Sequence, residues 1–164
     1  MNSIAMRIGG AGRRMLMIGA ALALGAVGSA GAASLPQIIH ARQNHFRALG
    51  RAFKSLRDQT WGSHPNWRIV ASDADRIERL ASALPSWFPP GSGKGHGVKT
   101  RARKAIWARP QAFARAAQRL LNQARSLQQA AVRHDRRALL FHTRGLGHAC
   151  GSCHRQFRAR SSWW

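Results

Sequence analysis

The sequence predicts an all-α fold, an antiparallel four-helix bundle, and three observations carry that reading. Four stretches place apolar residues three and four apart, the repeat of a single helical face. Glycine- and proline-bearing breakers separate them. No run alternates apolar and polar residues as a half-buried strand would. Four amphipathic helices bury their apolar faces most simply by packing together. The 164 residues are the length of one domain.

Residues 1–32 stand apart from that bundle. Arg7, Arg13 and Arg14 make a positive start, Met15 to Val27 an apolar stretch, and Ser29-Ala30-Gly31-Ala32 a small-residue cleavage site. This is the pattern of a secretory signal peptide cut after Ala32. The apolar stretch is too short to be a stable membrane anchor. The folded domain is then 33–164.

The first bundle helix is predicted from about Pro36 to Arg57, with Ile38, Ile39, Arg42, His45, Phe46, Leu49, Phe53 and Leu56 on one face. Pro36 suits its first turn. Residues 58–66, with Gly62, Ser63 and Pro65, break the pattern. The second helix is predicted from about Trp67 to Leu84, carrying Val70, Ile77, Leu80, Ala81 and Leu84 inward. Pro85 and Pro89-Pro90-Gly91-Ser92-Gly93 end it. Residues 85–104 read as a long loop, a length that is usually functional or mobile.

The third helix is predicted over about Ala105 to Val132, with Trp107, Phe113, Ala117, Leu120, Leu121, Ala124 and Leu127 as its stripe. Pro110 removes a backbone donor, so the regular helix starts there or kinks there. The fourth helix is predicted from Asp135, a good cap, to about Arg160. Leu139, Thr143, Leu146, Cys150, Cys153 and Phe157 recur at four-three spacing, which turns both cysteines inward.

The two cysteines lie three apart, poorly placed on one helical turn for a relaxed disulfide. Cys150-Gly151-Ser152-Cys153-His154 is instead the C-x-x-C-H pattern of covalent haem c attachment. Two thiols that condense with two vinyl groups must stand a few ångströms apart along one porphyrin edge, and one helical turn holds them so. His154, the next residue, brings an imidazole beneath the ring as iron ligand. A structural zinc site needs four protein ligands, and no histidine pair is spaced to supply the rest. A redox C-x-x-C wants a strand-helix context that this sequence lacks.

Electron-carrying cytochromes commonly place a methionine opposite the histidine. All four methionines, Met1, Met6, Met15 and Met17, fall in the signal peptide. The sixth position is therefore a histidine, a small molecule or nothing. His45 is the rival ligand, and His40, His142 and His148 are weaker ones.

Haem attachment after export needs an unfolded chain, so a Sec-type route is expected in spite of the Arg13-Arg14 pair. The destination is the bacterial periplasm. Removing 1–32 takes away three arginines and no acid, which leaves 24 basic and 5 acidic side chains, about +19. Such a surface steers acidic partners in a salt-sensitive way. Export argues against nucleic acid, the usual partner of so basic a chain. Acidic periplasmic or membrane-bound redox partners, or anionic headgroups, fit better. Adaptation to the medium explains the charge equally well. Trp163-Trp164 at the tail suggests packing or a partner contact.

Several segments together resemble the cytochrome c′ family. Arg42-Gln43-Asn44-His45-Phe46 with Leu49-Gly50 is similar to its first-helix motif. Leu84-Pro85-Ser86-Trp87-Phe88 resembles its second-helix exit, and Ile106-Trp107 with Phe113 its third-helix start. Gly147, Cys150 to His154, Phe157 and Arg158 match its last helix. The resemblance implies a haem bound through Cys150 and Cys153, with His154 as proximal ligand. It places Arg42 and Gln43 at the propionates, Arg158 beside the proximal face and Phe46 over the distal one. It also implies a homodimer. The segment Phe88 to Gly97 lacks an acid that some relatives carry, and Arg103 stands where a proline commonly precedes the third helix. Read alone, Phe46 is an ordinary core residue and Arg42 a solvated arginine.

The expected function is a monohaem periplasmic cytochrome with one-electron chemistry, its iron five-coordinate and open to NO or CO. A bis-histidine carrier and a non-redox gas-binding protein are the alternatives. No nucleophile-base pair is visible, so catalysis beyond redox chemistry is not expected.

Overall fold

A computed structural model describes residues 33–160; residues 1–32, where the signal peptide is expected, and Trp163-Trp164 lie outside the described residues. Helix α1, Leu35–Trp61, opens on a reciprocal cap. The Ser34 hydroxyl accepts from the Gln37 amide, and the Gln37 side chain accepts from the Ser34 N–H at 2.8 Å. It runs four residues past the predicted end. The polar stretch after Arg57 reads as a break, yet Thr60 turns inward, donates to the Leu56 carbonyl at 2.7 Å and meets Thr143 of the last helix at 3.2 Å. A satisfied hydroxyl is cheap to bury, so the helix continues.

Helix α2, Trp67–Ala83, is capped by Asn66, which accepts from the Arg68 and Ile69 amides. Its end passes into a 3-10 turn, Leu84–Trp87. Pro110 breaks the predicted third helix in two: α3 is one turn, Ala105–Ala108, and α4 runs Pro110–Val132. The irregular backbone of Arg109 (φ −132°, ψ 60°) divides them. A ring at α4's first position costs nothing, because that N–H would be unpaired anyway. Helix α5, Arg136–Phe157, starts where Asp135 accepts from the Ala138 amide at 2.9 Å. It ends three residues short of the predicted Arg160. In the α4–α5 turn His134 takes a left-handed φ of 54° and stacks on Trp67, centroids 4.9 Å apart.

The four long helices pack as a square: α1 touches α2 and α5, α4 touches α2 and α5, and neither diagonal pair meets. Ile39, Leu56, Val70, Ile77, Leu127, Leu139 and Leu146 fill the centre. The segment 88–104 is better tied than its composition suggests. Its end lies beside the C-terminus of α5, where Arg103 N donates to Phe157 O at 3.0 Å and Ala159 N to Arg101 O at 2.8 Å. Among the described residues no helix is long and apolar enough to cross a membrane.

Candidate functional site

The α1–α5 contact is the sparsest of the four, and a cleft of about 810 Å³ opens among α1, α4 and α5. That is the size of a cofactor site. Its lining includes all seven residues singled out above: Arg42, Gln43 and Phe46 from α1, and Cys150, Cys153, His154 and Arg158 from α5 and its end. Residues 108 positions apart in the chain meet because antiparallel packing sets the first half of α1 beside the last turns of α5.

Cys150 and Cys153 are half-buried free thiols on successive turns of the inner face. Burial, and secondarily the neighbouring Cys153, pushes the Cys150 thiol up to about 11. Burial also raises Cys153, against the opposing pull of Arg119. His154 is open to solvent on one side. Burial of its inner side, and then the Arg101 guanidinium, push its imidazole below the usual histidine range, which favours the neutral ring that ligates metal.

Phe46 stands edge-on to Trp87 at 5.2 Å and faces Phe88 at 6.1 Å. Phe88 meets Phe113 at 5.0 Å, and Phe113 meets Phe157 at 5.3 Å. With Leu49, Phe53, Leu84, Ile106 and Leu120 these rings make the cleft mostly apolar. Phe46 is thus core residue and cleft wall at once.

Arg42 departs from the solvated alternative. It is 3% exposed. Its Nη1 donates to Ser92 Oγ at 3.0 Å and Trp87 O at 3.4 Å, its Nη2 to Ser92 O at 3.0 Å and Thr100 Oγ1 at 3.1 Å. The guanidinium lies 4.6 Å over the Phe88 ring. Gln43 Nε2 donates to Lys99 O at 2.7 Å. Both side chains therefore hold the 88–100 segment as well as facing the cleft. Arg158 is exposed at the mouth, and its N–H closes α5 on His154 O at 3.1 Å. His45 turns away. Its ring packs on Trp87 at 4.7 Å and is absent from the lining, and His154 is the single histidine of the cleft.

Sequence reasoning missed Ser92, Thr100, Arg101 and Ala102. Ser92 is fully buried beneath Arg42, yet it sits in a Pro-Gly-Ser-Gly run that reads as surface. No periodicity could have found it. The fit to a haem rests on three features: an apolar volume of the right order, two thiols one turn apart at its wall, and a buried guanidinium with no carboxylate among the described residues to balance it. A buried cation calls for an anion, which a propionate would supply.

A four-helix bundle with C-x-x-C-H on its last helix, facing such a cleft, defines a c-type cytochrome of the helical-bundle class. The family model described as Cytochrome C' matches residues 37–158. The chain belongs to the cytochrome c′ family and carries one covalently attached haem c. It is 30% identical to the cytochrome c' of Rhodospirillum rubrum over 126 residues, 74% of this chain and 77% of that protein. It is 36% identical to a cytochrome c-554 of Cereibacter sphaeroides over 93 residues, 56% of this chain and 60% of that relative's length. The crystal structure of cytochrome c' from Thermochromatium tepidum superposes at a TM-score of 0.74 with 25% identity, covering 79% of this chain and all of the other.

Proposed function

We propose that this chain is a periplasmic haem protein whose iron has one protein ligand and an open sixth position. The observation that carries it is the cleft lining: one histidine, His154, and no methionine. The other nitrogen bases there are guanidiniums, which do not ligate, and Lys99, exposed at the mouth. When bound, the haem supplies one-electron redox chemistry and a coordination position for NO or CO.

The chain's own residues do the rest. Cys150 and Cys153 offer the two thiols for the vinyl groups, and His154 offers a neutral imidazole nitrogen. Phe46, with Phe53 and Phe88 beside it, keeps water out and leaves room only for small neutral molecules. Arg42 and Gln43 place N–H donors on the propionate side, already braced by Ser92, Thr100 and Lys99 O. Arg158 adds a positive charge at the mouth. The packing of His45 on Trp87 counts against the bis-histidine reading.

An absorption spectrum of the ferrous protein, with and without carbon monoxide, tests the reading. A broad high-spin band that carbon monoxide sharpens is expected. A sharp low-spin alpha band before the gas is added refutes the open position. The signal peptide, cleavage after Ala32 and periplasmic delivery belong to the same proposal, and N-terminal sequencing of exported protein reads them directly. Acidic redox partners and a homodimer complete it.

A further inference from the structure

Charge is distributed over this molecule in a way its total does not reveal. Six exposed cations ring the cleft: Arg47, Lys99, Arg101 and Arg158 line its mouth, and Arg119 and Arg155 flank the cysteines. Arg155 Nη1 lies 3.6 Å from where a Cβ on Gly151 would stand, and Arg119 is near enough to pull on the Cys153 thiol. No carboxylate lies in the lining.

The five carboxylates are all elsewhere. Asp58 is in the last turns of α1, Asp73, Asp75 and Glu78 are on α2, and Asp135 caps the start of α5. Helix α2 is diagonal to α5 and makes no contact with it. Asp135 precedes the cleft's first α5 residue, Ala149, by 14 positions, roughly 20 Å along the helix. The three ion pairs among the described residues, Lys54–Asp58, Arg79–Asp75 and Arg125–Glu78, neutralise cations away from the cleft and none at its rim.

We infer that the rim of the cleft is a docking surface for an acidic protein partner. The inference rests on the haem reading above and adds to it where the partner sits and by what force it is held. Six guanidinium and ammonium groups around one opening, paired with no side-chain carboxylate and outnumbering the two propionates a haem would bring, focus an attractive potential for carboxylates there, and five of the six are arginines able to grip a carboxylate with two bonds. A second copy of this chain offers no matching acidic face, because the three acids of α2 are balanced by Arg68, Arg76 and Arg79. A lipid surface is disfavoured by the placement of apolar side chains. Among the described residues the exposed large hydrophobics are Trp61, Ile69, Val132 and Phe141, at the α1–α2 and α4–α5 ends, and none of these lies on the rim to insert between headgroups.

The test uses the haem-loaded protein and fluorescein-labelled poly-L-glutamate, followed by fluorescence anisotropy across a salt series. The rim variant carries Arg47→Glu, Arg119→Glu and Arg155→Glu; the control carries the same charge change far from the cleft, as Arg57→Glu, Arg68→Glu and Arg133→Glu. Helical circular dichroism of both variants shows that each is folded. The rim variant should bind at least about 10-fold more weakly than the parent at low salt, and the control within about 3-fold of it. Equal loss in both variants overturns the inference, since net charge alone is then at work; so does no loss in either. Vesicles of phosphatidylcholine with about one third phosphatidylglycerol, whose negative surface potential attracts basic side chains, form the other arm. Rim-dependent binding to vesicles but not to polyglutamate would assign the rim to a membrane instead. Anisotropy needs no redox activity, so a wrong ligation state at the iron would leave this result standing.

Discussion

At position 42 a guanidinium is buried among neutral oxygens, bonded to Ser92, Thr100 and the Trp87 carbonyl and stacked on Phe88. One side chain thus joins the cleft wall to a segment with little regular structure of its own. Arg42→Leu removes the bonds and leaves those oxygens buried. We expect a loss of about 2–3 kcal/mol in denaturant unfolding and faster amide exchange across residues 88–100. An unchanged midpoint would mean that the bonds carry no net stability. Cys150 gives a second prediction at this scale. Before haem attachment, its raised thiol is almost wholly protonated at neutral pH, because burial disfavours the thiolate. Alkylation by iodoacetamide at pH 8 should run about 100-fold slower in the folded apoprotein than at an exposed cysteine, and should accelerate as pH climbs toward the group's own value of about 11. A profile that levels off near pH 9 would contradict the burial.

The helices owe their limits to single side chains. Asp135 closes the first turn of α5 by accepting from Ala138 N, and α5 carries the whole C-x-x-C-H segment at its far end. Asp135→Ala should cost about 1 kcal/mol of stability, read as a lower thermal midpoint, and leave the ferrous spectrum unchanged. A changed spectrum would show that strain at the cap reaches the cysteines. The cap at Asp135 and the first-turn place of Pro36 were legible in sequence because the chemistry of helix starts is local. The end of α1 was not. Asp58-Gln59-Thr60 is a polar run, and only Thr143, 83 residues later, makes Thr60 an interior residue. Pro110 lies between these cases: sequence offered a start or a kink, and the irregular Arg109 backbone chose a start.

For the whole molecule, the surplus of cations sets how copies meet. At +22 apiece for the full chain, or about +19 without residues 1–32, two protomers repel at low ionic strength. If the chain dimerises, the dimer fraction in sedimentation equilibrium should rise as salt is added. A fraction that falls with salt would show that ion pairs hold the interface. The seven predicted site residues converge on one cleft, and the reasons differ among them. Cys150, Cys153 and His154 announce their chemistry by spacing alone. Arg42, Gln43, Phe46 and Arg158 came from likeness to a family, since nothing local separates a buried Arg42 from the many arginines at the surface.

The sequence by itself determined the helices, the bundle and the haem-attachment motif, because helical periodicity, capping and the thiol spacing are properties of neighbouring residues. Tertiary structure decided which histidine faces the cleft, what braces Arg42 and where the unpaired cations gather. Those are relations between residues far apart in the chain, and packing alone brings them together.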